Sequence, residues 1–323
     1  MDEPFIQHQH IAAFADDRVN LKNEKVKEYR QQVQRLRDNL TEHINADPGF
    51  ALVKMLGSGS VAKGTALSTI NDMDVAVYIE AGEAPEDEAT LLSWIADRLR
   101  EAYPNLAADQ FQPQHHCVTI SFRGTGLDVD VVPVLYEGDP EDRGYLITKD
   151  TGDRVLTSVP LHLAFIRARK EAQPHHFRQV VRLVKWWARR QKAEREDFRF
   201  KSFMIELICA HLADDGLDMA DYPRALERVF AYLVSSGLRE QIAFTDNYRL
   251  SEVSVPVDAP IRVVDPVNPE NNVASRYSVT DRAAIVEAAH DALDALLEAR
   301  EADTKGRAVA CWQDVLGPSF RGN

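Results

Sequence analysis

Cysteine is scarce in this sequence. The three present, Cys117, Cys209 and Cys311, lie far apart and in no metal-ligand spacing. That pattern fits a reducing cytoplasm and offers no cysteine-based metal site. Long apolar runs are missing as well. None approaches the ~18 residues of a membrane span, and the opening MDEPFIQHQHIAAFADD has neither the basic nor the apolar stretch of a secretory signal. No repeat or low-complexity segment is present. Positive charge is in deficit: the net charge is −13, so the surface as a whole does not draw nucleic acid or a membrane. What remains, 45% hydrophobic and 28% charged over 323 residues, is a globular composition with room for two domains.

The scarce cations are concentrated. Between Arg167 and Lys201 twelve basic residues face four acidic ones, a local excess of +8. A basic stripe on an acidic chain points to one anionic ligand in one place. For any single member, a solvated helix face reads equally well.

Hydrophobic spacing predicts a long helix from about Val19 to Ile44, closed by Asp47-Pro48-Gly49. FALVKML reads as a strand, Asp72–Glu80 as an alternating strand, and Glu88–Tyr103 as an amphipathic helix. HHCVTISF and LDVDVVPVL are strands joined by the turn Arg123-Gly-Thr-Gly126. From Pro160 the pattern becomes helical, at about 160–172, 175–192, 201–214, 222–236 and 280–302, with TKGRAVACWQDVLG last. A small mixed α/β lobe and a helical lobe are expected to meet near residues 155–160, with a ligand site in the cleft between them.

Residues 57–80, GSGSVAKGTALSTINDMDVAVYIE, admit three phosphate-binding readings. A dinucleotide fingerprint needs a crossover of at least ~10–12 residues before the next strand, and only a turn or two of helix fits. A P-loop needs lysine directly after its second glycine, followed by Ser or Thr; Lys63 precedes Gly64. The third reading joins the glycine-serine loop to Asp72-x-Asp74. Residues i and i+2 of a strand share a face, so Asp72 and Asp74 lie together, opposite Met73 and Val75. Asp128 and Asp130 repeat the device. Carboxylates converging from neighbouring strands suit Mg²⁺, which also takes oxygens from phosphates. Two such ions can activate an attacking hydroxyl and stabilise the leaving pyrophosphate. Backbone amides at Gly59 and Ser60, with the Ser60 hydroxyl, can cradle a phosphate. Lys63 is given no role.

Other polar residues read as structural. His115-His116 and His175-His176 are adjacent pairs whose side chains diverge on a strand or helix, so neither pair is expected to share a metal. Trp186 and Trp187 read as packing, and Glu206 and His211 as packing or solubility.

These segments resemble the DNA-polymerase-β-type nucleotidyltransferases. RLVKWWAR (182–189), KSFMIELI (201–208) and VVDPVNPENNVA (263–274) resemble the helical-lobe motifs of oligoadenylate synthases. Together the motifs closely resemble the bacterial cGAS/DncV-like nucleotidyltransferases (CD-NTases) of CBASS anti-phage systems, nearest to clade C, the HORMA-associated branch. The likeness runs nearly end to end. It implies an α+β fold: a polymerase-β-like nucleotidyltransferase palm, a mixed sheet with helices, over 1–158, and a helical lobe over 159–323. It implies Asp72, Asp74 and Asp130 as the metal triad for two Mg²⁺ ions, for which Mn²⁺ can substitute, with Asp128 beside them. Ser60, with Gly59, takes the phosphate-contacting place. Lys185 and Ser202 take the distal triphosphate contacts, and Phe203 takes the place of a base-stacking aromatic or a core residue. The implied activity is synthesis from ATP of a 3′–5′-linked cyclic oligoadenylate, cyclic tri-AMP. The implied partners are a HORMA-domain activator, double-stranded DNA and, indirectly, a TRIP13-like AAA+ regulator. Arg189, Arg190, Lys192 and Arg195 are too many for one triphosphate, and some of them are expected to meet duplex DNA or an acidic partner, the alternative being a solvated helix face. The rival readings are a linear oligoadenylate or RNA-end nucleotidyltransferase and a non-catalytic nucleotide-binding module.

Overall fold

The computed structural model describes residues 3–46, 52–70, 72–149 and 151–323. They form two compact units: Leu21–Ala164, and Met1–Asn20 together with Phe165–Asn323. The first twenty residues thus belong with the helical part of the chain. They carry α1 (His8–Phe14), which runs on as a π-helical turn over Ala15–Val19. Ile11, Phe14 and Val19 are buried there.

The sheet unit opens with α2 (Asn23–Ala46), so the long helix starts at Asn23 rather than Val19. Its expected stop, Asp47-Pro48-Gly49, lies outside the described residues. Next come β1 (Leu52–Gly57), α3 (Gly59–Lys63), β2 (Asp72–Glu80), α4 (Leu91–Ala102) and β3 (Phe111–Pro113). They are followed by β4 (Val118–Phe122), β5 (Leu127–Tyr136), β6 (Gly144–Ile147) and β7 (Arg154–Thr157). The strand order is β1-β2-β5-β4-β3, with β6 on β5 and β7 on β6. Only the central pair, β2 and β5, is parallel among these described strands. The expected α+β fold, a mixed sheet with helices, is what forms.

Alternation sets the core. Met73, Val75, Val77 and Ile79 of β2 and Val129 and Val131 of β5 point into one face. Leu91, Leu92, Ile95 and Leu99 of α4 and Leu36 and Leu40 of α2 cover that face. Each fully buried aliphatic side chain contributes about 1.5–3 kcal/mol. The opposite face differs from a simple polar one. At its far end Ala76, Tyr78 and Val134 are buried too, under Leu56, Tyr136, Leu146 and Val159. The Tyr78 hydroxyl donates to the Asp142 carbonyl (3.1 Å) and accepts from the Val159 amide (3.1 Å). Burial pushes that hydroxyl up to about 12.

In the helical unit, α5 (Val159–Ala172) carries the chain across the boundary. It is followed by α6 (His176–Glu194), α7 (Ser202–Asp214) and α8 (Tyr222–Ser236). A two-stranded parallel pair, β8 (Gln241–Ile242) and β9 (Arg262–Val263), precedes α9 (Val279–Arg300) and α10 (Lys305–Leu316). The helix ends follow local chemistry. Asp221, Ser278 and Thr304 each accept a first-turn amide, and Gly237 closes α8 in the left-handed conformation. Trp187 is buried with its ring 4.8 Å from that of Phe230, and the Trp186 indole donates to the Leu316 carbonyl at 2.8 Å. Both tryptophans therefore pack, as expected. Among the described residues no helix is long and apolar enough to cross a membrane.

Candidate active site

The parallel register sets Asp72 beside Asp128 and Asp74 beside Asp130. Adjacent strands lie about 4.7–4.9 Å apart. Four carboxylates therefore form a two-by-two array on one face, Asp72 exposed and the others half-buried. Among the described residues no three His, Cys, Asp or Glu side chains stand close enough, as they are, to hold a metal ion. The array shares a face and a register but is not a closed cage.

A second element reaches the array. The Ser58 amide donates to the Asp74 carbonyl at 2.9 Å and pins the loop to β2. Gly59 follows with φ +63°, and a Cβ built on it would stand 1.6 Å from Asp74 Oδ2. Only glycine lets the backbone lie against that carboxylate. The chain then makes the short α3 and turns at Gly64, φ +73°, while the Thr65 amide donates to the Ser60 carbonyl at 2.9 Å. The half-buried Ser60 thus sits one residue beyond the carboxylate contact.

The third element is β4. Its antiparallel register sets Thr119 opposite Asp130 and Ser121 opposite Asp128. The Thr119 hydroxyl donates to Asp130 Oδ1 at 2.6 Å. Burial raises the Asp130 pKa above the usual carboxylate value; Asp72 and Asp128 add to the rise, while donors from Thr119 and Cys117 oppose it. The Cys117 thiol is pushed up to about 12, by burial first and then by Asp130 and Asp74.

The remaining expected site residues lie in the helical unit. Lys185 is 4% exposed, and its ammonium pairs with the equally buried Glu206 at 2.5 Å. Glu206 is therefore neither a packing nor a solubility residue. It is the counter-charge of Lys185, and the sequence reading missed it. Ser202, the first residue of α7, is exposed, and Phe203 is half-buried. Arg189 and Lys192 are exposed. Arg190 donates to the Gln313 and Asp314 carbonyls at the end of α10 (3.2 and 3.0 Å) and pairs with Glu194. Arg195 pairs with Asp291 at 2.8 Å. One of the two histidine pairs differs from expectation in geometry. His115 and His116 lie in an irregular bend before β4, and their rings meet at 4.1 Å rather than diverging. His176 packs near His8 and Tyr222. A cavity of about 640 Å³ in the helical unit is lined by residues including Ile6, His8, Arg224, Arg228, Leu296 and Trp312, and by none of the expected site residues.

Paired D-x-D strands at the centre of a mixed sheet, with a glycine-serine loop pinned against one carboxylate, define a nucleotidyltransferase of the polymerase-β type. Comparison with known proteins narrows the class. The model of the Second Messenger Oligonucleotide or Dinucleotide Synthetase domain matches residues 6–161. A cyclic AMP-AMP-AMP synthase of Escherichia coli strain MS 115-1 is 52% identical over 322 residues, 100% of both chains. A CBASS oligonucleotide cyclase CdnC of Escherichia coli strain KTE188 is 32% identical over 308 residues, 94% of both. The solved structure of E. coli MS115-1 CdnC with ATP matches with a TM-score of 0.90 at 52% identity, covering 98% of this chain and 99% of that one. The Vibrio cholerae DncV cyclic AMP-GMP synthase shares the fold, with a TM-score of 0.71 at 14% identity over 99% of this chain and 98% of that one. The chain belongs to this family of second-messenger oligonucleotide synthetases, on the CdnC branch.

Proposed function

We propose that this chain uses ATP to make 3′–5′-linked cyclic AMP-AMP-AMP, a second messenger of anti-phage defence. The observation that carries the reading is the in-register D-x-D array of β2 and β5, in a chain 52% identical over its full length to a cyclic AMP-AMP-AMP synthase.

The donor set fits a hard divalent cation, since the array offers only carboxylate oxygens and like charges that need a cation between them. Asp72, Asp74 and Asp130 would hold two Mg²⁺ ions, or Mn²⁺ in their place, with Asp128 alongside. Such cations supply positive charge that eases deprotonation of a 3′-hydroxyl and offsets the charge of departing pyrophosphate. The chain does the rest. Gly59 holds its loop against Asp74, so the loop amides and the Ser60 hydroxyl can meet phosphate oxygens. The exposed Ser202 serves the distal triphosphate and Phe203 a base, whereas the Lys185 ammonium, buried against Glu206, holds α6 to α7 instead of taking the phosphate role expected from the sequence. In each step a 3′-oxygen-to-phosphorus bond forms and the α-phosphorus-to-pyrophosphate bond breaks, while the hydroxyl proton leaves to solvent. Three steps, the last intramolecular, turn three ATP into one ring and three pyrophosphates.

A HORMA-domain protein is the proposed activator, because E. coli MS115-1 CdnC, 52% identical to this chain, is solved in a CdnC:HORMA-deltaN complex. A TRIP13-like AAA+ regulator would act through that protein, in the cytoplasm. Double-stranded DNA is the proposed ligand of the exposed Arg189 and Lys192, with Arg190 and Arg195 largely occupied inside the helical unit. The test is mass spectrometry of products from mixed ATP and GTP, with and without a HORMA partner and DNA, before and after phosphatase. A phosphatase-resistant product with the mass of three cyclised AMP units is expected. A product that loses terminal phosphate makes the chain a linear polymerase. ATP binding without pyrophosphate release under every condition makes it a binding module.

A further inference from the structure

The carboxylate array must keep like charges in fixed positions. A strand carboxylate with charged neighbours would swing away unless something held it. Asp72 and Asp128 both act on Asp130 as repelling charges. Among the described residues no ion pair restrains Asp130; what reaches it is a pair of neutral donors, one from β4 and one from the residue just before that strand. Thr119 is its cross-strand partner, and the Thr119 hydroxyl proton is committed to Oδ1 at 2.6 Å. Cys117, in the irregular segment just before β4, gives a second hydrogen bond. A neutral donor fixes a carboxylate without neutralising it. The other lone pairs of the carboxylate stay available to a cation, which a lysine or arginine in that place would compete with. Threonine suits the task better than serine, because its branched Cβ restricts χ1 and presets the hydroxyl.

We infer that Thr119 is a positioning residue, holding Asp130 in the orientation in which it binds a divalent cation. The inference rests on the reading of Asp130 as a cation ligand. Partners that orient a ligand group typically change metal affinity or activity by about 10–100-fold when removed. Thr119→Val keeps the shape and the strand preference and loses only the donor; Thr119→Ser keeps the donor.

The experiment uses the full chain and four proteins: wild type, Thr119→Val, Thr119→Ser and Asp130→Asn. Mn²⁺ binding is read directly from the loss of the free-ion paramagnetic signal. Beside it run the Mg²⁺ half-saturation of pyrophosphate release, kcat and KM for ATP at saturating Mg²⁺, and thermal melting without metal. Thr119→Val is expected to weaken Mn²⁺ binding and raise Mg²⁺ half-saturation at least about tenfold. Its kcat should recover most of the way at high Mg²⁺, KM for ATP should hold, and Thr119→Ser should lie near wild type. Wild-type cation affinity in Thr119→Val overturns the inference. So does a loss of melting temperature and kcat together with unmoved cation binding, which marks a purely structural threonine. If Asp130→Asn itself binds Mn²⁺ and turns over as wild type does, the assignment of the cation site fails, a result distinguishable from the first two.

Discussion

Replacing Gly59 by alanine perturbs the contact on which the site geometry rests. The new Cβ would stand 1.6 Å from Asp74 Oδ2, 2.4 Å from its Cγ and 2.8 Å from its Cβ. A carbon–oxygen contact needs about 3.3 Å, so loop and carboxylate must separate by about 1.7 Å. The backbone adds its own penalty, since φ +63° in a residue with a Cβ costs roughly 1–2 kcal/mol. The carboxylate can escape by changing rotamer, so the fold should survive. The reacting geometry should not, because a misplacement of about 1 Å can lower turnover about 10²-fold. Gly59→Ala is therefore expected to lower kcat/KM at least about 10²-fold, or about 2.7 kcal/mol of transition-state stabilisation, with a melting loss that matches the backbone term alone. Gly138→Ala is the matched control. Its φ is +88° and nothing lies within 4 Å of the added Cβ, so it should lose similar stability and keep full activity. The assay is pyrophosphate release at saturating Mg²⁺ beside thermal melting. A Gly59→Ala enzyme within twofold of wild type, or equal activity losses in both variants, would refute the reasoning.

Asp72→Asn, Asp74→Asn and Asp130→Asn should each abolish product with the fold intact, and Asp128→Asn should be milder; activity kept without Asp130 and lost without Asp128 would exchange their roles. Because the Asp130 pKa is raised on folding, the folded protein holds its proton longer than the unfolded chain does. Stability without metal should then fall as pH rises from about 3.9, the unfolded value, through the raised folded value. Asp130→Asn should be the more stable protein at neutral pH, with the gap closing on acidification; urea unfolding of both across pH decides it. Lys185→Ala leaves Glu206 buried without its ammonium partner and should lose about 3–5 kcal/mol, most of it recovered in Lys185→Met/Glu206→Leu. A Lys185→Ala protein that melts like wild type would show that the pair does not hold α6 to α7. Arg189→Glu with Lys192→Glu should weaken DNA binding and flatten its salt dependence while KM for ATP holds; wild-type DNA affinity in that variant makes the pair a solvated helix face.

The carboxylate faces were legible because a strand repeats every two residues: Met73, Val75 and Val77 announce one side of β2 and thereby assign Asp72 and Asp74 to the other. Most helices of the second unit were legible for the same kind of reason, through apolar spacing and caps such as Asp221 and Ser278. The parallel pairing of β2 with β5 was not, because a long-range register leaves no local mark. Nor was the partner of Gly59, although the glycine itself stood out. Glu206 sits inside the apolar run SFMIELICAHL, and nothing in that run says that Lys185 of α6 lies opposite. Seven-residue α1 and four-residue β6 and β7 are too short for periodicity to register. The helix expected from Val19 merged two elements, because the break at Asn20–Lys22 contains no proline or glycine.

The central strands divide their labour along their length. In the first half of β2 and β5 one face is apolar and the other carries the four aspartates. In the second half both faces are buried, with Tyr78 bonded through its hydroxyl to Asp142 and Val159 and packed on Tyr136. Two-sided burial fixes the strands at one end, and this lets the other end carry charges that repel each other when no cation is bound. Had the aspartates been set mid-strand, the same repulsion would oppose both covering layers. Placed at the N-terminal ends, where β2 and β5 begin, they can shift with the loop at Gly59 and the hydroxyl of Thr119 while the core stays in register. The stability of the sheet and the strain of the site are thus kept on different halves of the same two strands. A mutation at Tyr78 should accordingly lower melting temperature more than cation affinity, and one at Thr119 should do the reverse.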